Sequence, residues 1–319
     1  MHRPRGPLIA LVLALSLAAS ACGDDGAGEQ TAEPARSPDA AFPVTVEDAN
    51  GPVTIDARPG RIISLSPTAT EMLFAIDAGG QVTAVDDQSD YPPEAPTTDL
   101  SGYEPNVEAI AGYEPDLVVI SGDPGELVSS LDALGVVTLT LPAVETLDGT
   151  YEQIAVLGKA TGNEQESVAL IDQMSTEVAS LIQRIPVFES PPTYYHELDD
   201  TYYTVTSDTF VGFVYGGLAG MENIADEAKG ASGGYPQLSA EFIVDADPDY
   251  IFLADTVCCG QTAETVADRP GWDGLSAVRS GSVIEVDDSI ASRWGPRVVD
   301  FFRVVVDALA VTAPVPMPG

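Results

Sequence analysis

Three groups of side chains in this sequence have the types and spacing to do chemistry. Cys258 and Cys259 are adjacent. Outside a reducing compartment two neighbouring thiols close into a vicinal disulfide; buried and reduced, they pack as small hydrophobes. Adjacent Cα atoms across a trans peptide lie about 3.8 Å apart, below the roughly 4.4 Å of ordinary disulfides, so a bridge here pins the Asp255 to Gly260 loop. No metal site is expected, because adjacent sulfurs lack the two-residue spacing of zinc motifs and His196 is the one histidine past His2. In the second group, Tyr194, Tyr195, His196, Tyr202 and Tyr203 gather polar aromatics that suit a flat, half-apolar ligand or, equally, ordinary strand packing. The third is Arg293-Trp294-Gly295-Pro296-Arg297, two of 13 basic residues beside an indole and just ahead of an apolar helical run. Arg293 there either faces an anionic ligand, helped by the helix N-terminus, or makes a surface salt bridge.

These groups sit on an alternation of apolar runs. Val44, Val46, Val53 and Ile55 alternate around Asn50-Gly51, which predicts a hairpin with a type I′ turn. Short apolar strands follow at Ile62 to Leu65, Val82 to Val85, Leu117 to Ile120 and Val136 to Leu141, separated by helical segments, and that order predicts a mainly parallel α/β sheet. Ser66-Pro67 reads as an N-cap and first helical position, with Thr68 and Glu71 as an alternative capping box, so Glu71 is expected to cap rather than to bind. Between Gly162 and Pro186, Val168, Ile171, Met174, Val178, Leu181 and Ile185 fall three or four apart. That spacing predicts one amphipathic helix of about 22 residues, roughly 33 Å long. Strands at Tyr250 to Leu253 and Val283 to Val286 and a helix from Pro296 to Leu309 complete the chain.

A weak internal repeat divides this material in two. Val107-Glu108-Ala109-Ile110 through Glu114-Pro115-Asp116-Leu117 matches Ala240-Glu241-Phe242-Ile243 through Asp247-Pro248-Asp249-Tyr250 in phase, each a helix, a Pro-Asp turn and a buried strand. Asn106 and Ser239 are the expected N-caps, which puts Glu108 and Glu241 at the second helical position, where an acid also complements the helix dipole.

Arg3 and Arg5, the apolar run Leu8 to Leu17 and the small residues Ala18 to Ala21 have the layout of a secretory signal, and the run is too short for a membrane span. Cys22 directly after them resembles the lipobox cysteine of bacterial lipoproteins, although Ala19 stands where leucine is usual; two acyl chains would hold the domain at a membrane. Residues 23 to 41 contain no large apolar side chain and read as a tether. The expected division is a signal peptide over 1–21, a lipid-anchored tether over 22–41, an N-terminal α/β lobe over 42–162, a connecting helix over 163–185 and a C-terminal α/β lobe over 186–312. With 50 acidic residues and a net charge of −37, the chain is no nucleic-acid binder. The charge itself suits solubility outside the cytoplasm.

Arg61-Ile62-Ile63-Ser64-Leu65-Ser66-Pro67-Thr68-Ala69-Thr70-Glu71, Ser89-Asp90-Tyr91-Pro92-Pro93, Val107-Glu108 before Glu114-Pro115-Asp116, and Tyr235-Pro236-Gln237-Leu238-Ser239-Ala240-Glu241 before Asp247-Pro248-Asp249 occur in this order. Together they resemble the iron-siderophore and vitamin B12 class of ABC transporter substrate-binding lipoproteins, over nearly all of the chain from Phe42 to Leu309. The resemblance implies two Rossmann-like lobes joined by one long helix, with a chelated-metal ligand (ferric siderophore, haem or cobalamin) held between them and no cofactor. It implies that Glu108 and Glu241 dock into arginines of an ABC permease dimer on the outer face of the membrane. Lined up with the cobalamin-binding branch, Gln88 and Gly102 fall where aromatics line the cleft, Tyr103 lies next to one of them, Tyr235 replaces another aromatic, and Arg293 falls on a late arginine. The expected ligand-binding set is Gln88, Tyr103, His196, Tyr235, Arg293 and Trp294. Two rivals stand beside this reading. An extracellular hydrolase with a histidine-dependent triad would have to use His196, and in so acidic a chain no carboxylate pair is singled out for glycoside hydrolysis. A surface sensor would bind ligand on the same lobes without transport.

Overall fold

The computed structural model describes residues 41–312 except 229, 230 and 232, so the signal, Cys22 and nearly all of the tether lie outside the described residues. The first lobe is built on five parallel strands, β3 (Ile62–Leu65), β4 (Val82–Asp86), β5 (Thr97–Leu100), β6 (Leu117–Ile120) and β7 (Val137–Thr140), in the order β5-β4-β3-β6-β7. The chain builds outward from β3 in one direction and then returns to add β6 on its other side. That reversal is a topological switch point, where open α/β sheets place their ligands beyond the carboxyl ends of the strands. Every residue of β3 and β6 is buried, which is why both read as continuous apolar runs. Helices α1 (Pro67–Ala75), α2 (Val107–Ala111), α3 (Leu127–Asp132) and α4 (Leu147–Thr161) connect and cover the sheet.

The opening hairpin pairs β1 (Val44–Asp48) with β2 (Gly51–Ile55), Val46 opposite Val53. Its two loop residues are Ala49 and Asn50, and only the following Gly51 has a positive φ, 120°. The turn is therefore not type I′, which needs positive φ at both loop residues. Tertiary bonds at the tip account for the change. The Asp48 carboxylate accepts the N–H of Asn50 at 2.7 Å and of Thr140 at 2.8 Å, and the Asn50 amide donates to the Thr140 hydroxyl at 3.0 Å.

The connecting helix, α5 (Glu164–Ile182), is 19 residues and about 28 Å long. It buries Met174, Val178 and Leu181, whereas Val168 at one end of the expected stripe stays 54% exposed. It lies against α4, which the apolar spacing does not announce; Gly158 permits their approach, since a Cβ there would sit 2.2 Å from the Ser167 hydroxyl.

The second lobe has four parallel strands, β8 (Thr193–Glu197), β9 (Glu222–Asn223), β10 (Tyr250–Leu253) and β11 (Val283–Glu285), in the order β11-β10-β8-β9. Around them lie α6 (Phe210–Phe213), α7 (Ala240–Ala246), α8 (Thr256–Cys259), α9 (Ala263–Ala267), α10 (Ser276–Ser280) and α11 (Val298–Thr312). Helix α11 packs on α5, and one apolar core runs from Leu117 and Leu139 through Met174 and Leu181 to Phe252 and Phe301.

The internal repeat is visible at the level of single hydrogen bonds. Asn106 and Ser239 cap α2 and α7 by accepting the N–H of Ala109 at 3.0 Å and of Phe242 at 3.2 Å. Glu114 and Asp247, each just before its proline, both adopt the left-handed conformation, with φ of 50° and 44°. Asp116 then accepts the N–H groups of Gly60 and Arg61 ahead of β3, and Asp249 accepts the N–H and hydroxyl of Thr193 at the start of β8.

Candidate functional site

On the first lobe, the carboxyl ends of the strands open onto a cavity of about 350 Å³ lined by Leu65, Pro67, Asp86, Gly102, Tyr103 and Ser121, among others. Behind its Asp86 runs a buried chain of hydroxyls: Thr70 donates to Ser64 at 2.9 Å, Ser89 lies 2.9 Å from Thr70, and Ser89 donates to Asp86 at 2.6 Å. Burial raises the Asp86 carboxyl above its ordinary pKa, against the lowering effect of the Ser89 bond. Gly102 is sterically required, because a Cβ there would lie 2.5 Å from the carbonyl oxygen of Leu65. The aromatic of this wall is instead Tyr103, 81% exposed.

On the second lobe, Glu197 ends β8 and Asp255 follows β10, and both carboxyls are enclosed. Arg269 grips Glu197 through two bonds of 2.6 Å, with its guanidinium 4.7 Å from the Trp272 ring and 5.6 Å from that of Tyr202. Among the described residues no donor reaches either oxygen of Asp255, whose carboxyl lies against that of Glu197. Burial, with the negative charge of Glu197 next, pushes its pKa up to about 7. Above this floor the lobe exposes Tyr203, Tyr235 and Val257, the last at 74%. Val257 belongs to α8, whose Cys258 and Cys259 are exposed and joined to each other as a vicinal disulfide. The Asp288 carboxylate anchors this turn by accepting the Thr256 hydroxyl and the N–H groups of Val257 and Cys258, at 3.1, 3.1 and 2.7 Å.

Between the lobes, Glu71 of α1 is buried and accepts from two arginines of the segment before α11. Arg293 donates to Oε1 at 2.8 Å, and Arg297 donates to Oε1 at 2.6 Å and to Oε2 at 3.0 Å. Arg293 also pairs with Asp90 at 2.7 Å and donates to the Gln88 carbonyl at 3.1 Å. Burial of Asp90 opposes ionisation, but the bonds from Arg293 prevail and hold its pKa below the ordinary value. The Arg297 guanidinium stacks 4.1 Å from the Tyr91 ring. The Trp294 indole donates to Gln153 of α4 at 3.0 Å, and its carbonyl accepts from Thr150 at 2.9 Å.

These contacts correct three of the expected ligand-binding residues. His196 is fully enclosed, with Nδ1 2.9 Å from the Tyr215 hydroxyl and Phe301 packed edge-on, and burial drives its pKa down to about 3. It points into the core because the side chains of β8 are covered on both faces. Arg293 is neither a free cleft donor nor a surface ion pair; its Nη1 and Nη2 groups are bonded to Glu71, Gln88 and Asp90 of the other lobe, and its side chain is 11% exposed. Trp294 is interlobe packing. Glu71, expected as a cap, is the acceptor for both arginines, while Ser66 caps α1 by accepting the Ala69 N–H at 3.3 Å. Gln88, Tyr103 and Tyr235 are exposed, but no hydrogen bond or ring contact among the described residues joins Tyr103 or Tyr235 to the Arg293-Trp294 pair. Glu108 and Glu241 are exposed at the second position of α2 and α7, and neither has an ion-pair partner among the described residues. Glu197, Asp255 and Arg269 escaped the sequence reading as site residues, and Arg297 entered it only as the neighbour of Arg293; the scarcity of basic residues is the one signal that marks the two arginines. Gly230-Ala231-Ser232-Gly233-Gly234 spells the G-x-S-x-G pattern of an acyl-enzyme elbow, yet Ser232 lies outside the described residues and the enclosed His196 is no available base.

Residues 62–290 match the family described as periplasmic binding protein. An uncharacterized ABC transporter substrate-binding lipoprotein of Bacillus subtilis is 29% identical over 97% of this chain and 98% of its own length. The cobalamin-binding protein of Halobacterium salinarum is 32% identical over 94% of this chain and 83% of its own. Among solved structures, the periplasmic vitamin B12 binding protein of Vibrio cholerae aligns with a TM-score of 0.65 at 26% identity, over 80% of this chain and 98% of that one.

Proposed function

The chain belongs to the periplasmic binding protein family, and we propose that it is the extracytoplasmic substrate-binding component of an ABC importer whose ligand is a corrinoid of the cobalamin kind. The observation that carries the ligand class is the exposure of large apolar and aromatic side chains in the loops that follow the strands of each lobe: Tyr103 on one, and Tyr203, Tyr235 and Val257 on the other, in a chain of net charge −37. A corrin presents a broad, half-apolar body with a polar fringe, and such a body gains from aromatic and aliphatic contact that a small hydrophilic solute would not use. The relatives named for cobalamin and vitamin B12 support the same class. Aquo- and cyanocobalamin carry their own axial ligands, so the enclosure of His196 is no obstacle.

Titrating the purified protein separately with cyanocobalamin, haemin and a ferric hydroxamate tests this reading. Saturable one-to-one binding of cyanocobalamin is expected. Binding of haemin or the hydroxamate without cyanocobalamin would move the ligand class, and binding of none would remove the reading.

Delivery needs a membrane partner. Glu108 and Glu241 occupy equivalent, exposed positions on the two lobes, and we assign them to arginines on the two halves of a permease dimer. Cys22, outside the described residues, is the proposed site of acylation, with the preceding residues as signal and the following ones as tether to the outer face of the membrane; the lipoprotein name of the Bacillus subtilis relative supports it.

A further inference from the structure

We propose that Val257 and the Cys258–Cys259 disulfide form an apolar contact surface on the second-lobe wall, a specificity-determining element that takes the ring system of the ligand. This rests on the corrinoid reading of the cleft and deepens it. The turn stands just beyond the carboxyl end of β10, and its backbone N–H groups are engaged within the lobe. The N–H groups of Val257 and Cys258 go to Asp288, and that of Cys259 goes to the Asp255 carbonyl at 3.3 Å. The side chains that the turn exposes are an isopropyl group and two sulfurs. A closed disulfide has no S–H to hydrate, and its sulfurs are soft and polarizable, properties that favour contact with a conjugated ring over contact with water. The surface is also held in register with the opposite wall: Ser289, next to Asp288, lies 3.3 Å from Asp90 of the first lobe, and Asp90 pairs with Arg293. A turn fixed at both ends in this way meets a ligand without first having to be ordered.

The test compares cyanocobalamin binding by the oxidised protein with that of Val257→Ser, the double variant C258S/C259S, and Val187→Ser, a control at a 98% exposed position ahead of β8. Val257→Ser and C258S/C259S are each expected to weaken binding about fivefold or more, the factor for losing a few tens of Å² of apolar contact. Val187→Ser is expected to bind as the parent does. Affinities within twofold of the parent in both cleft variants would overturn the proposal while leaving the corrinoid reading intact. If C258S/C259S does not fold, Val257→Ser, at an exposed side chain, decides alone. Absence of cyanocobalamin binding by the parent protein would overturn the functional reading and this proposal with it.

Discussion

Arg297 donates to both carboxylate oxygens of Glu71, at 2.6 and 3.0 Å, and so ties the segment ahead of the last helix to the first helix of the other lobe. With Arg293 on the same carboxylate, one buried acid holds two arginines whose side chains are only 11% and 18% exposed. Such a pair is worth little against an apolar replacement of the same shape, but removing one partner leaves uncompensated charge in a poorly solvated place.

Replacing Glu71 with Gln is therefore expected to cost about 3–5 kcal/mol of stability, read as a lower urea midpoint. A loss below about 1 kcal/mol would show that water reaches the two arginines and that the joint is a surface ion pair.

Asp255 sets a pH dependence. Its folded pKa of about 7 stands above the ordinary carboxyl value of 3.8, so between these limits the native state keeps a proton that the unfolded state releases. Its contribution to stability is full below about pH 4 and is lost as pH rises through 7. Asp255→Asn should raise the melting temperature at pH 8 and leave it little changed near pH 4. His196 acts in the opposite sense: with its folded pKa lowered to about 3, it costs stability as pH falls below 6.5, so the comparison must be made against the parent at each pH.

Alanine at both Glu108 and Glu241 is expected to abolish uptake in cells while cyanocobalamin affinity stays unchanged. Each side chain contributes about 0.3–1 kcal/mol to its short helix through the dipole, so the melting temperature should fall by only a few degrees. Normal uptake by the double variant would reduce both residues to helix caps.

Mass measurement of the secreted protein, alkylated before and after reduction, reads the state of Cys258 and Cys259. No alkylation without reductant and two additions after it are expected. Two additions at the start would mean that the thiols are free.

The strands β3, β4, β6, β7, β10 and β11 were legible in the sequence to within a residue or so, because buried parallel strands such as Ile62 to Leu65 and Leu117 to Ile120 leave an unbroken apolar run, whereas the half-exposed β5, the two-residue β9 and the aromatic β8 were not read as strands. The α2 and α7 caps were legible because Asn106 and Ser239 act on N–H groups three residues away. Glu71 was not. Its partners lie 222 and 226 residues later, and a local capping pattern at Thr68 offered a ready but incorrect use for it. His196 failed for a related reason: whether an aromatic strand faces a cleft or a core depends on what packs over it, here Tyr215 and Phe301, which no local pattern in β8 encodes.

The apolar core that passes from Leu117 through Met174 to Phe301 also bears on the rate of capture. Lobes joined by shared core side chains and by the Glu71 carboxylate resist hinge opening, and a cleft held in one arrangement loses less affinity to an incompetent fraction. Arrival is then governed by diffusion and by the field of the acidic surface, and residence time by the rim residues that cover the bound molecule. A membrane partner that takes the cargo by spreading the lobes would have to work against that shared core and the buried Glu71 pairings.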